Sequence, residues 1–230
     1  MKLLSTLAVM GAMRELASVY RSRTGVEIEA EFAPTVALLD RIRSGTATGD
    51  VAILTAQGIE DLIGEGMMVA GSRTDIAVSF VGVAVKAGAP KPDLSSVATF
   101  QAALLSARCV AYSKFGASGI YFAGLLDRLG IAADVKTLVV PSGFTAERLV
   151  SGEADLAVQQ ISELLVVPGI EVAGPLPAEV QTAAMFSGGV LSGSADRDAA
   201  RAFLRFLTGP DAAPVLEESG LRPAGGAQNQ

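Results

Sequence analysis

The 230-residue chain contains no histidine, no tryptophan and a single cysteine. Without histidine there is no Ser-His-Asp triad, no Cys-His nucleophile, no His-ligated zinc and no imidazole general base. Cys109, alone, makes no internal disulfide and no cysteine cluster for zinc or iron–sulfur. Neither a metal nor a cofactor is expected. Aromatic residues are scarce at 5%. Eighteen Lys and Arg stand against 24 Asp and Glu, a net charge of −6, with no basic block. Nucleic acid is therefore not an expected partner, because phosphate neutralisation needs clustered cations. No apolar run reaches the roughly 18 residues that a spanning helix needs, so no membrane insertion is expected. The phosphate-loop pattern and the G-x-G-x-x-G dinucleotide pattern are both absent. Any chemistry must use carboxylates, Lys, Tyr, hydroxyls or the backbone.

What is present is an alternation of short apolar runs and amphipathic stretches, the pattern of an α/β protein. Strands are expected at 2–9, 27–32, 51–54, 77–86, 109–112, 136–140, 156–159, 170–174 and 182–190. Helices are expected at 10–23, 35–44, 57–65, 97–106, 118–129, 145–151, 195–207 and 211–219. Gly25 and Gly130 sit where left-handed C-caps belong. Asp93, Ser95 and Ser96 are N-cap candidates, and Pro210 suits the first turn of the last helix. Residues 225–230 read as a frayed tail. Lys2 followed by 3–13 imitates a signal peptide, but no small-x-small cleavage site follows, and the run reads as a first buried strand. As written the chain reads as cytoplasmic; as a trimmed mature chain it would be periplasmic.

One local design recurs: a strand, then small or hydroxyl residues, then a helix start. It occurs at Ser5-Thr6-Leu7-Ala8, Ala33-Pro34-Thr35, Thr55-Ala56, Gly116-Ala117-Ser118-Gly119 and Ser142-Gly143-Phe144-Thr145. In open α/β sheets ligands lie outside the carboxyl ends of the strands. Helix N-termini there offer free N–H groups and partial positive charge, and small residues admit a ligand to the backbone. Each Ser or Thr alone reads first as a plain helix cap. Together they describe an anion site, with Ser5, Thr6, Thr35, Thr55, Ala56, Ser118, Gly119 and Thr145 as ligand-binding candidates.

Gln159 and Gln160 close an apolar run, so at least one amide should face the ligand end of its strand; the other reading is solvated loop amides. The groups able to carry a proton near these loops are Tyr121, Lys114 and Glu163. Each also has a bland reading: a half-buried core tyrosine, a solvated lysine and a solvated helix glutamate. Cys109 reads as an inert buried thiol, and Glu217-Glu218 as a solvated face.

Several ordered segments resemble the type II periplasmic binding proteins, in particular the molybdate-binding group. They are Leu3-Leu4-Ser5-Thr6-Leu7-Ala8-Val9, Phe32-Ala33-Pro34-Thr35, residues 49–56, Ser118-Gly119-Ile120-Tyr121, Leu126–Ile131, Gly174–Gln181 and residues 203–210. The resemblance implies a two-lobed α/β fold with a cleft between the lobes. Lobe one would be 1–79 with 182–230, and lobe two 80–181. It also implies an ABC-transporter-type substrate-binding protein, with a transporter permease as a possible partner. Hydroxyls and amides at Thr6 to Ala8, Thr35 or Val36, Thr55 or Ala56, Ser118, Thr145 and Gln159 would hold a small oxyanion or polycarboxylate. The first two loops lack that group's usual Ala-Ala-Ser-Leu and Ser-Ser patterns, and Gln159 stands where it has tyrosine. The runs Gly-Ile-Tyr-Phe and Gly-Pro-Leu-Pro-Ala-Glu-Val-Gln are similar to a subgroup containing aconitate isomerases. The alternative that follows is an isomerase moving a proton on aconitate, with Tyr121, Lys114 or Glu163 as the carrier.

Overall fold

In the computed structural model, which describes residues 1–226, the chain divides into two compact units. Unit one is Met1–Ser79 with the segment from Ala184 onward, and unit two is Phe80–Ala183. In chain order, unit one begins with β1 Lys2–Thr6, α1 Met10–Thr24, β2 Glu29–Ala33, α2 Thr35–Arg43, β3 Val51–Thr55 and α3 Ala56–Gly64. Strand β4, Thr74–Lys86, carries the chain from one unit into the other. Unit two continues with α4 Val97–Ser106, β5 Val110–Ser113, α5 Ala117–Arg128, β6 Thr137–Val140 and α6 Glu147–Val150. It closes with β7 Leu156–Gln160, α7 Ile161–Leu164 and β8 Ile170–Pro175. The return is made by β9 Ala183–Val190, α8 Arg197–Leu207, α9 Ala213–Glu218 and β10 Arg222–Pro223.

In unit one, β1 lies parallel between β2 and β3, and β9 runs antiparallel on the far side of β3. Alternation along β1 sends neighbouring leucines to opposite faces. Leu3 packs with α1, α8 and α9 around Met13, Leu16, Phe203 and Leu216, while Leu4 packs with Leu38 of α2 and Leu62 of α3. Burying such side chains stabilises by about 1.5–3 kcal/mol each. The signal-like start is thus a core strand of the fold.

In unit two, β7, β5 and β6 are parallel neighbours, and β4 runs antiparallel to both β7 and β8. Val81, Val83, Val110, Leu156 and Val158 face α4 and α5 through Phe100 and Phe122. Ala84, Ala111 and Ala157 face the opposite way, towards Leu149 of α6 and Leu164 of α7.

Several elements differ from the sequence reading. The first strand stops at Thr6 and residues Leu7–Val9 form a 3-10 turn. Its partner β2 ends at Ala33, because Pro34 has no N–H for the ladder and turns into α2. The helix expected from Thr145 begins at Glu147, after a turn in which the Arg148 N–H donates to the Thr145 carbonyl. Pro210 lies in the turn before α9, whose first turn holds Pro214 instead. Ser96 is the N-cap of α4, in a reciprocal box with Thr99. Gly25 and Gly130 do adopt left-handed backbone, at φ 75° and 69°. Cys109 precedes β5 and is only half-buried. Of the expected tail, residues 224–226 form a 3-10 turn, and 227–230 lie outside the described residues.

Candidate functional site

Parallel pairing brings the carboxyl ends of β1, β2 and β3 together at one edge of unit one. Thr6 closes β1 and Thr35 opens α2, and their hydroxyls are 2.9 Å apart. Ser5 is buried and donates to the Thr6 carbonyl at 3.2 Å. Thr55 is the N-cap of α3, accepting from the Gly58 N–H at 3.3 Å, with Ala56 the first helical residue. α2 has no side-chain cap, because its N-cap is Pro34, which carries no side-chain acceptor. The edge therefore carries neutral hydroxyls and helix N-termini, the kind of group that holds an anion without a counter-cation.

In unit two, Ser118 occupies the first turn of α5, whose N-cap Gly116 supplies no side-chain cap. Ser118 is 1% exposed, and its Oγ has no hydrogen-bond partner. The Oε1 of Gln160 is likewise buried without a partner. Leaving such a polar group unpaired normally costs about 1–3 kcal/mol. Gly119 is buried one residue further, and a Cβ there would lie 1.7 Å from the Ser113 carbonyl oxygen. Its missing side chain is used by the β5–α5 contact.

Strand β7 continues through Gln160, so both glutamines are buried strand residues, not solvated loop amides. The alternation points them to opposite faces. Gln159 Oε1 accepts from the Thr145 backbone N–H at 2.8 Å and from its hydroxyl at 2.9 Å.

Glu163, expected on a solvated helix face, is 7% exposed. The reason is packing: α7 starts directly after β7 and lies against β7 and β8, which keeps its third residue from solvent. Glu163 is the third residue of α7, in whose first turn a carboxylate is favoured by the helix dipole. Burial pushes its pKa up to about 7, against the opposing pull of the bonds from Gln160 and Gln159. The sequence signal for this carboxyl is the spacing from Gln160 to Glu163 after an apolar strand.

The other two proton carriers are engaged elsewhere. The Tyr121 hydroxyl donates to the Val180 carbonyl at 2.7 Å, and the Arg128 guanidinium covers its ring at 5.0 Å. Lys114 is exposed, with its ammonium 5.0 Å from the Phe115 ring centre. The Cys109 thiol is pushed up by burial, in keeping with an inert role.

A family model described as bacterial extracellular solute-binding protein matches residues 2–222. The chain belongs to that family. It is similar to an aconitate isomerase from a Pseudomonas species, 36% identical over 228 residues that cover 96% of this chain and 86% of that one. The Azotobacter vinelandii periplasmic molybdate-binding protein shares its fold, with a TM-score of 0.81 at 21% identity, covering 96% of this chain and 98% of that one. Peb3 from Campylobacter jejuni aligns with a TM-score of 0.71 at 13% identity, over 96% and 98% of the two chains. The fold is thus the α/β fold of the molybdate-binding-like periplasmic proteins. Among the described residues no helix is long and apolar enough to cross a membrane.

Proposed function

We propose that this solute-binding-family chain binds a small unsaturated polycarboxylate of the aconitate class and isomerises it by proton transfer. The observation that carries the reading is Glu163: a buried carboxyl held near neutrality in a protein without imidazole. A base matched to the operating pH is what such a step needs. The relative that is 36% identical along nearly the whole chain supports the same chemistry. In the proposed step the Glu163 carboxylate takes a proton from the substrate's methylene carbon. The freed C–H electron pair becomes the new double bond, and the old double-bond pair accepts the proton at its far carbon. Atoms and electrons balance without a cofactor. Ser118, with an unpartnered hydroxyl, is the first candidate to hold a substrate carboxylate, and Thr6, Thr35, Thr55 and Ala56 are candidates in unit one.

Family membership favours a second reading: capture of the same class of anion without turnover, for delivery to a transporter permease outside the cytoplasm. An ultraviolet assay of aconitate interconversion, run beside calorimetry with trans-aconitate, separates the two. Turnover abolished by Glu163→Gln with binding retained is the expected result. Binding without turnover leaves the second reading, and no binding of either isomer ends both.

A further inference from the structure

We propose that Gln160 reads a hydroxyl on the ligand whose carboxylate Ser118 holds, so that the chain takes hydroxylated tricarboxylates in preference to the same skeleton without the hydroxyl. The proposal rests on the reading that unit two binds a small polycarboxylate at Ser118.

Register brings the two residues to one corner of unit two. Val158 of β7 and Phe122 of α5 share a buried cluster, and α5 packs on both β5 and β7. Gln160 lies two residues beyond Val158, on the same face of the strand. Ser118 lies four residues before Phe122, on the same face of the helix. β5 and β7 are parallel, and α5 follows β5 after a short turn, so its start lies at the carboxyl ends of both strands. Gly119 pins that start to the Ser113 carbonyl at the end of β5. Tyr112 stands opposite Val158 in the ladder, so one step along both strands reaches Ser113 and Gln159, and the next reaches Gln160.

The chemistry of the corner is asymmetric. Gln160 is 2% exposed, and its Oε1 and the Ser118 Oγ are buried without a hydrogen-bond partner. The serine hydroxyl can donate, and the uncapped first turn of α5 adds partial positive charge, which together suit a carboxylate. An amide oxygen only accepts. A ligand that satisfies both atoms must bring an oxyanion and an O–H. A fully ionised oxyanion offers Gln160 no donor. Nor does tricarballylate in its ionised form, whereas citrate is that same tricarboxylate with a hydroxyl on its central carbon. A site that holds a buried partner for a ligand hydroxyl discriminates against the analogue lacking it.

Calorimetry on the full chain with citrate, tricarballylate and trans-aconitate is the test. Citrate is expected to bind about tenfold more tightly than tricarballylate, the worth of one well-placed hydrogen bond. Gln160→Met keeps the side chain's length and removes the acceptor, and is expected to bring the two affinities together. Equal affinities in the unaltered protein, or a preference that survives Gln160→Met, overturn the proposal. The comparison in the unaltered protein decides alone if the variant fails to fold. Binding of trans-aconitate with citrate and tricarballylate equal overturns the proposal and keeps the polycarboxylate reading. A citrate preference without aconitate binding keeps the proposal and ends the aconitate reading, and no binding of any of the three ends both.

Discussion

Gly119 and Ser113 stand so close that a methyl group on the glycine would lie 1.7 Å from the serine carbonyl oxygen. No rotamer relieves that contact, because the obstacle is backbone. Gly119→Ala must push α5 off the end of β5, and overpacking of this kind costs about 3 kcal/mol or more. Denaturant unfolding should report a loss of that size, independent of any ligand. A neutral substitution would mean that α5 can slide, and that the glycine is there for a ligand's approach.

Ser118 should behave in the opposite way. Its buried hydroxyl has no partner, so Ser118→Ala removes an unpaired polar group. Stability is expected to rise by about 1 kcal/mol. Affinity for trans-aconitate is expected to fall about tenfold, the worth of one hydrogen bond to a charged group. Unfolding and calorimetry on one preparation check both. A destabilised variant would mark the hydroxyl as a structural partner.

Glu163 gives stability a distinctive pH dependence. Its folded pKa of about 7 lies above its ordinary value of 4.5. Between those values the folded protein holds a proton that the unfolded chain has released. Stability from this group is therefore full below the lower value and is lost as pH rises through the upper one, by on the order of 3 kcal/mol. Glu163→Gln should flatten the decline between pH 5 and 7. Melting temperatures across that range measure it, and parallel curves for the two proteins would contradict it.

Asp50 acts at the acid end. Burial works to raise its pKa, but bonds from the Lys2 N–H, the Ser194 hydroxyl and the Ala195 N–H hold it below the usual range. Its stabilisation is present at neutral pH and is lost as pH falls through the folded value. The Lys2 N–H donates to one oxygen at 2.8 Å, while Ser194 and Ala195 donate to the other. Asp50→Asn keeps one acceptor oxygen and loses the other, so it should cost about 1–2 kcal/mol at neutral pH, and Asp50→Ala more. Urea unfolding at pH 7 and at pH 3 would reveal the difference shrinking in acid.

Much of the fold is legible in the sequence because its causes are local. The valine and leucine runs, the glycines at 25 and 130 and the Ser96 cap mark elements through neighbours a few residues away. The missing histidine by itself restricts proton transfer to carboxylates, Tyr, Lys and hydroxyls, and the strand-to-helix junctions mark the loop ends that could meet an anion. The state of each group at those ends is not legible. Thr6 and Thr35 are 29 residues apart, and Thr145 and Gln159 are 14 apart. Folding pairs Thr6 with Thr35 and Thr145 with Gln159, and leaves Ser118 without a partner. Glu163 reads as a solvated helix residue, because a charged residue on a short helix usually meets water. The packing of α7 against β7 and β8 removes that water, and burial raises the carboxyl's pKa to about 7. Residue type set which groups can carry a proton; only tertiary packing, by excluding solvent and fixing hydrogen-bond partners, decided that Glu163 is buried with a raised pKa while the Tyr121 hydroxyl is held by the Val180 carbonyl.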